Sequence, residues 1–219
     1  MRKPALPALA LTGLFVAIVA YQFASSPPEV TPPALAARLN AAEQHVLDDP
    51  SSPMLGNPRG NVTVVEFFDY RCPYCRLMQP KLQALLAGDP QIRLVMKEWP
   101  VFGGPSVEAA RIALASAWQG KYAAVHDALF AAPLPLDQVA IRQAARQAGA
   151  DMDRLDQDMA LRSSELDRML TQSGTAARAL GLPGTPAFVV GSTVIPSALS
   201  LDDLKGVIAT ARTRSDAMR

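Results

Sequence analysis

The chain has 219 residues, 49% of them hydrophobic, enough for one sizeable core with a small helical subdomain and too few for several large domains. Its 21 Lys and Arg nearly balance 20 Asp and Glu, and no basic run is interleaved with aromatics, which excludes a nucleic-acid surface. Both of its cysteines fall in Cys72-Pro73-Tyr74-Cys75.

Met1-Arg2-Lys3 precede an uncharged stretch from Pro4 to Pro28 that is apolar above all between Ala5 and Ala20. This pattern reads residues 1–24 as a secretory signal peptide or as a single membrane anchor with its N-terminus in the cytoplasm. Both alternatives stand. The run slightly exceeds a usual signal core, while a spanning helix wants about 20 residues. A cleavage site with small residues at both key positions is hard to find, because Ala20 is preceded two places earlier by Ile18 and Ala24 by Gln22. Either way the remainder is expected to be exported, which places the cysteines in an oxidising compartment where a disulfide persists. The expected location is the periplasm, soluble after cleavage or anchored to the inner membrane by residues 4–24.

Residues 25–53 read as a linker and a short helix. Ser25 to Pro33 cannot make a regular helix or a central strand and serves as a tether. From Ala34 to Leu47, Leu35, Leu39, Ala42, Val46 and Leu47 recur at helical spacing, suited to packing on the domain or on another subunit. Asp48 to Asn61, rich in Asp, Pro, Ser, Gly and Asn, reads as the loop into the domain.

The first strand is predicted at Val62 to Phe68, with a helix following over about Cys72 to Ala87. After Gly88-Asp89-Pro90 a second strand fits Ile92 to Lys97. Ser106 to about Leu180 is helical in pattern, with breaks near Gly120, at Ala132-Pro133 and at Gly149. Gly181-Leu182-Pro183-Gly184-Thr185-Pro186 closes that block. A strand pair follows, Ala187 to Val190 and Thr193 to Ile195, turning at Gly191-Ser192, and a last helix spans about Ser200 to Arg212. The result is an α/β unit over residues 54–215 with a helical insertion at about 104–181 and no internal repeat.

Disulfide exchange needs an accessible cysteine that is stabilised as an anion. With Cys72 at a helix N-cap and Pro73 at the first helical position, the free N–H groups of Tyr74 and Cys75 point toward the Cys72 sulfur. The helix dipole adds to this, and Arg71 and Arg76 add local positive charge. Cys72 is therefore the expected nucleophile, and Cys75, one turn further in, the resolving partner. An inert cross-link across so small a loop would be a poor staple, since it removes little unfolded-state entropy. A structural zinc site would need two more ligands, and His45 and His126 do not offer a compact spacing. Both histidines read as surface or partly buried residues on helices.

The motif resembles the active site of the thioredoxin superfamily, and three further positions carry the resemblance. Glu66, six residues before Cys72, stands where the superfamily places a buried acid near the second cysteine, able to relay a proton to or from Cys75. A solvated strand face is the alternative for Glu66, and Asp69 is the competing acid. Pro80 stands where relatives kink the helix. Thr185-Pro186 stands where the superfamily carries a cis-proline facing the cysteines. There the backbone of Thr185 would pair with an incoming extended peptide, and Pro73, Tyr74 and Pro186 would complete the substrate contact.

Cys-Pro-Tyr-Cys alone looks like glutaredoxin, but export and the long helical insert argue against that. With residues 67–75 and Gly184-Thr185-Pro186-Ala187-Phe188, the chain from about Met54 to Ala211 resembles the DsbA-like family of exported thiol-disulfide oxidoreductases, in detail the branch containing ScsC and BdbD. DsbA itself carries histidine where this chain has Tyr74, which cannot supply a cation, so a weaker oxidant is expected. The resemblance implies a thioredoxin fold with an inserted helical domain and no organic cofactor or metal. It also implies partners: reduced or misoxidised exported proteins, and a membrane redox protein. An oxidase, the first expectation, would be reoxidised by a DsbB-like quinone reductase. An isomerase or reductase, the second, would be kept reduced by a DsbD-like protein. Isomerases usually act as oligomers, and Ala34 to Leu47 is a short candidate for that contact. Copper sequestration by the two thiolates, a copper-tolerance role, comes third.

Overall fold

The computed structural model describes Val46 and residues 49–217, and the export segment, the tether, most of the 34–47 helix and His45 lie outside the described residues. The strands β2 (Val62–Phe68) and β3 (Ile92–Glu98) run parallel, in register from Val62 opposite Ile92 to Phe68 opposite Glu98. A parallel pair needs a crossover, supplied here by helix α1 (Pro73–Gly88). β4 (Ala187–Val190) and β5 (Thr193–Ile195) extend the sheet antiparallel beyond β2, giving the order β1-β3-β2-β4-β5. Between β3 and β4 the chain makes five helices: α2 (Pro105–Ala117), α3 (Tyr122–Ala131), α4 (Gln138–Gln147), α5 (Met152–Leu161) and α6 (Ser163–Ala179). Helix α7 (Leu201–Ala217) follows β5.

The other edge strand, β1 (Met54–Gly56), corrects the reading of 48–61 as loop. Only three residues long, it is held by antiparallel pairing with β3 and by the Met96 amide donating to the Pro53 carbonyl at 2.9 Å. Its closing Gly56 has φ +75°, and a Cβ there would stand 2.6 Å from the Ile92 carbonyl oxygen. The predicted helix breaks at Gly120, Ala132-Pro133 and Gly149 separate α2 through α5. A further break at Arg162, between α5 and α6, has no Gly or Pro to announce it.

Alternation along β2 and β3 gives the sheet two distinct faces. Val64, Phe68, Leu94 and Met96, with Phe188 and Val190 of β4, form one core with Cys75, Met78 and Leu82 of α1 and Leu204 and Ile208 of α7. The opposite face holds Val65, Phe67, Val95 and Lys97, all buried. Lys97 is neutralised there by Asp49 at 2.9 Å, whose carboxylate also accepts from Ser51 and Ser52. That pair fixes the point at which the chain from the N-terminus enters the domain. The first face carries two buried acids, Glu66 and Glu98, and each sits where its strand approaches the cysteine loop.

Candidate active site

Cys72 is the N-cap of α1 and Pro73 occupies the first helical turn, where its missing N–H costs nothing. Both thiols are free, Cys72 retains 3% of its surface and Cys75 none. The low exposure of Cys72 departs from an openly accessible nucleophile. Its S–H donates to the Thr185 carbonyl at 3.2 Å, so the sulfur lies against the segment leading into β4. The Thr185–Pro186 bond is cis, and so is Leu134–Pro135 in the helical block. Beside the sulfur runs a groove of about 430 Å³ lined by Tyr74, residues 183–186 and residues 196–198, with no charged side chain among them. Of the predicted site residues, Cys72, Cys75, Glu66, Tyr74, Thr185 and Pro186 gather here. Pro73 is exposed and lies outside the groove lining.

The two sulfurs differ sharply in electrostatics. The Cys75 thiol donating to it, outweighing partial burial, lowers the Cys72 thiol to about 6, with help from the backbone amides of Cys75 and Tyr74. Burial pushes Cys75 far up, and the Cys72 sulfur and Glu66 push it further. Arg76 plays another part than local charge. Arg76 directs its guanidinium into the carbonyls of Tyr70 (2.9 Å), Phe130 (2.8 Å), Ala132 (2.6 Å) and Leu129 (3.3 Å), binding the cysteine loop to the C-terminal end of α3.

Glu66 is 1% exposed, which removes the solvated-face alternative. Burial, with the Cys72 charge beside it, raises its carboxyl to about 8, and its Oε2 has no hydrogen-bond partner. Asp69 is occupied differently. It accepts from the Arg71 amide (2.7 Å), the Ser106 hydroxyl (2.8 Å) and the Phe102 amide (3.1 Å), tying the cysteine loop to the loop after β3 and the first turn of α2. Thr185 Oγ1 is the other buried oxygen at the site without a partner.

Sequence reasoning missed the polar cluster behind the cysteine loop. Glu98 Oε1 lies 2.9 Å from both Tyr70 Oη and Tyr122 Oη, and His126 bridges Tyr70 to Gln79. His126 is wholly buried, contrary to the surface or partly buried reading, because its face of α3 packs into Phe68, Tyr70 and Phe130. Burial lowers its imidazole to about 3 and keeps it neutral. The available signal was the pair Lys97-Glu98 directly after the apolar run Leu94-Val95-Met96. Among the described residues no three His, Cys, Asp or Glu side chains gather to hold a metal ion, and no helix is long and apolar enough to cross a membrane.

A thioredoxin-like sheet whose first crossover helix opens on two thiols facing a cis-proline defines a class, the thiol-disulfide oxidoreductases. The chain belongs to the DSBA-like thioredoxin domain family, whose model matches residues 63–209. It is 42% identical to a thioredoxin-like oxidoreductase from Silicibacter pomeroyi DSS-3, with a TM-score of 0.75 over 78% of this chain and 97% of that one. The catalytic domain of Proteus mirabilis ScsC is 25% identical, with a TM-score of 0.74 over 81% of this chain and 98% of that one. The Na(+)/H(+) antiporter NhaA 3 of Salinispora tropica is 30% identical over 85% of this chain, which spans only 30% of that protein's length.

Proposed function

We propose that this chain oxidises thiols of exported proteins through the Cys72–Cys75 pair. The observation that carries the reading is Cys72 at the N-cap of α1 against the Thr185 carbonyl, with Cys75 fully buried one turn on, an arrangement that lowers the first thiol to about 6 and pushes the second far up. A sulfur held as thiolate is a good leaving group and favours the reduced form of the pair, which is what makes a dithiol protein oxidising toward others. In the oxidised protein a substrate thiolate attacks Cys72 Sγ, the Cys72–Cys75 bond breaks, and its electron pair leaves on Cys75. Cys75 then takes the proton that Glu66 holds. A second substrate thiolate attacks the substrate sulfur of the mixed disulfide, and Cys72 departs as thiolate. The substrate gains a disulfide and the protein gains two electrons.

Thr185, Pro186 and Tyr74 line the uncharged groove that would hold the extended substrate, and the exposed Pro73, next to Tyr74 in the chain, would add to the contact. Residues 1–24 act as the export segment or anchor, 25–53 as a linker with a short helix, and 54–215 as the catalytic unit with its insertion at about 104–181. Electrons leave through a DsbB-like membrane partner.

The test mixes the oxidised protein with a reduced, unfolded disulfide protein. Stoichiometric appearance of substrate disulfides with reduction of Cys72–Cys75 is expected. Reshuffling of a scrambled substrate without net oxidation would make the chain an isomerase served by a DsbD-like partner. Failure at both with tight copper binding would make it a copper-tolerance thiol protein.

A further inference from the structure

The cluster behind the cysteine loop has a proton count that its geometry fixes. Asp127, exposed on α3, accepts from Gln79 Nε2 at 2.7 Å and from Gln83 Nε2 at 3.0 Å, which turns the Gln79 carbonyl oxygen toward His126. That oxygen stands 3.2 Å from His126 Nε2, so Nε2 carries the ring proton and, in a neutral ring, Nδ1 is an acceptor. Tyr70 Oη lies 3.0 Å from Nδ1 and 2.9 Å from Glu98 Oε1, but it has one proton for two acceptors. Tyr122 Oη also has one, and it lies 2.9 Å from the same Glu98 oxygen. With Tyr70 donating to the imidazole, the contact between Tyr70 and Glu98 closes only if Glu98 brings a proton of its own.

We propose that Glu98 is held as an uncharged carboxylic acid by the Asp127–Gln79–His126–Tyr70 chain, so that of the two buried acids Glu66 and Glu98 it is Glu66 alone whose ionisation the cysteines meet. Glu66 and Glu98 share one face of the sheet, on paired strands two register steps apart, with no cation between them. Lys97 points to the opposite face and is bound to Asp49, while Arg76 is spent on four carbonyls. The groups facing Glu98 are Tyr70 from the cysteine loop, Tyr122 from α3, and the acids Asp69 and Glu66 of the β2 end. A second buried negative charge there would destabilise the Cys72 thiolate and raise Glu66 still further. An alternative with the same hydrogen bonds, an imidazolium at His126 against a Glu98 carboxylate, puts two charges in a dry aromatic cage. Burial opposes both, moving Glu98 up and His126 down.

This inference concerns the charge state of the site and stands apart from the direction of exchange. It is tested on the full chain, reduced, by carbon-13 and nitrogen-15 spectroscopy, with the Glu98→Gln variant assigning the Glu98 carboxyl carbon. The expected result is a Glu98 carbon at the neutral-acid position, flat from mildly acidic to mildly basic pH, and a neutral His126 protonated at Nε2. Gln donates and accepts as the acid does, so Glu98→Gln should leave the Cys72 thiolate midpoint and the exchange equilibrium with glutathione within about twofold of wild type. An ionised Glu98 at neutral pH, an imidazolium at His126, or a Cys72 midpoint lowered by about one pH unit in Glu98→Gln, a tenfold change in thiolate population, would overturn the proposal.

Discussion

Cys72 and Cys75 are one helical turn apart and live in opposite environments. Cys72 sits at the open end of α1, where amide groups and the second thiol face it, and its thiol falls to about 6. Cys75 is sealed beneath it against β2, and burial pushes its thiol far up. The difference comes from which way each sulfur faces: Cys72, as N-cap, meets the unpartnered N–H groups of the first turn, whereas Cys75 points into the core, where burial disfavours its charged form. The same sequence motif therefore makes one sulfur that is easily charged and one that resists charge, with Glu66 placed beside the second.

That polarity is broken most completely at the sulfurs themselves. Cys72→Ser should reduce exchange to the uncatalysed background, while Cys75→Ser should accumulate mixed disulfides with substrate, visible on non-reducing gels. Equal trapping by the two variants would reverse the assignment of nucleophile and resolver.

Glu66→Gln sharpens the Cys75 side. The folded carboxyl titrates at about 8 against 4.5 in an unfolded chain, so the native state binds the extra proton between those values. Stability contributed by this group is therefore lost as pH rises through that window, at about 1.4 kcal/mol per pH unit. The reduced Gln variant should gain on wild type by that slope, in chemical denaturation series run from pH 5 to pH 8, and its release of Cys75 should lose the matching pH dependence. A parallel pair of stability curves would show that Glu66 is not buried as an acid.

Arg76→Ala separates charge from architecture on the Cys72 side. Four carbonyls lose their donor, at a cost of about 2 kcal/mol in stability, whereas the Cys72 titration should hardly move because the guanidinium faces those carbonyls. A large rise in the Cys72 midpoint would restore Arg76 to the electrostatic role that its sequence position suggests. Tyr74→Phe is the smallest perturbation. The ring is 62% exposed and the residue serves the sulfur through its backbone amide, so the Cys72 midpoint, followed by thiolate absorbance, should stay where it is.

The parts legible in the sequence are those set by local spacing. Cys72 before Pro73 after an apolar strand announces a helix N-terminus, and Glu66, Thr185 and Pro186 could be placed by resemblance because each sits at a fixed offset from an element boundary. The parts that were not legible depend on the partner across the fold. β1 is too short to show alternation and exists because β3 has an open edge. Arg162 ends α5 without a breaking residue. His126 is one of several polar residues on α3, and only packing decides that it faces Phe68 and Tyr70 rather than water. Glu98 lay just beyond the predicted end of its strand. A charged residue adjoining a largely buried strand is ambiguous until the opposite layer is known, and here that layer supplies Tyr70 and Tyr122.

The most direct test of the whole arrangement is the reduction potential of the Cys72–Cys75 pair, measured by equilibration with glutathione. Stabilisation of the Cys72 thiolate requires a value well above that of thioredoxin, about −270 mV, with the reduced protein more stable to heat than the oxidised one. A value at or below about −270 mV, or an oxidised form that is the more stable, would contradict the oxidase reading.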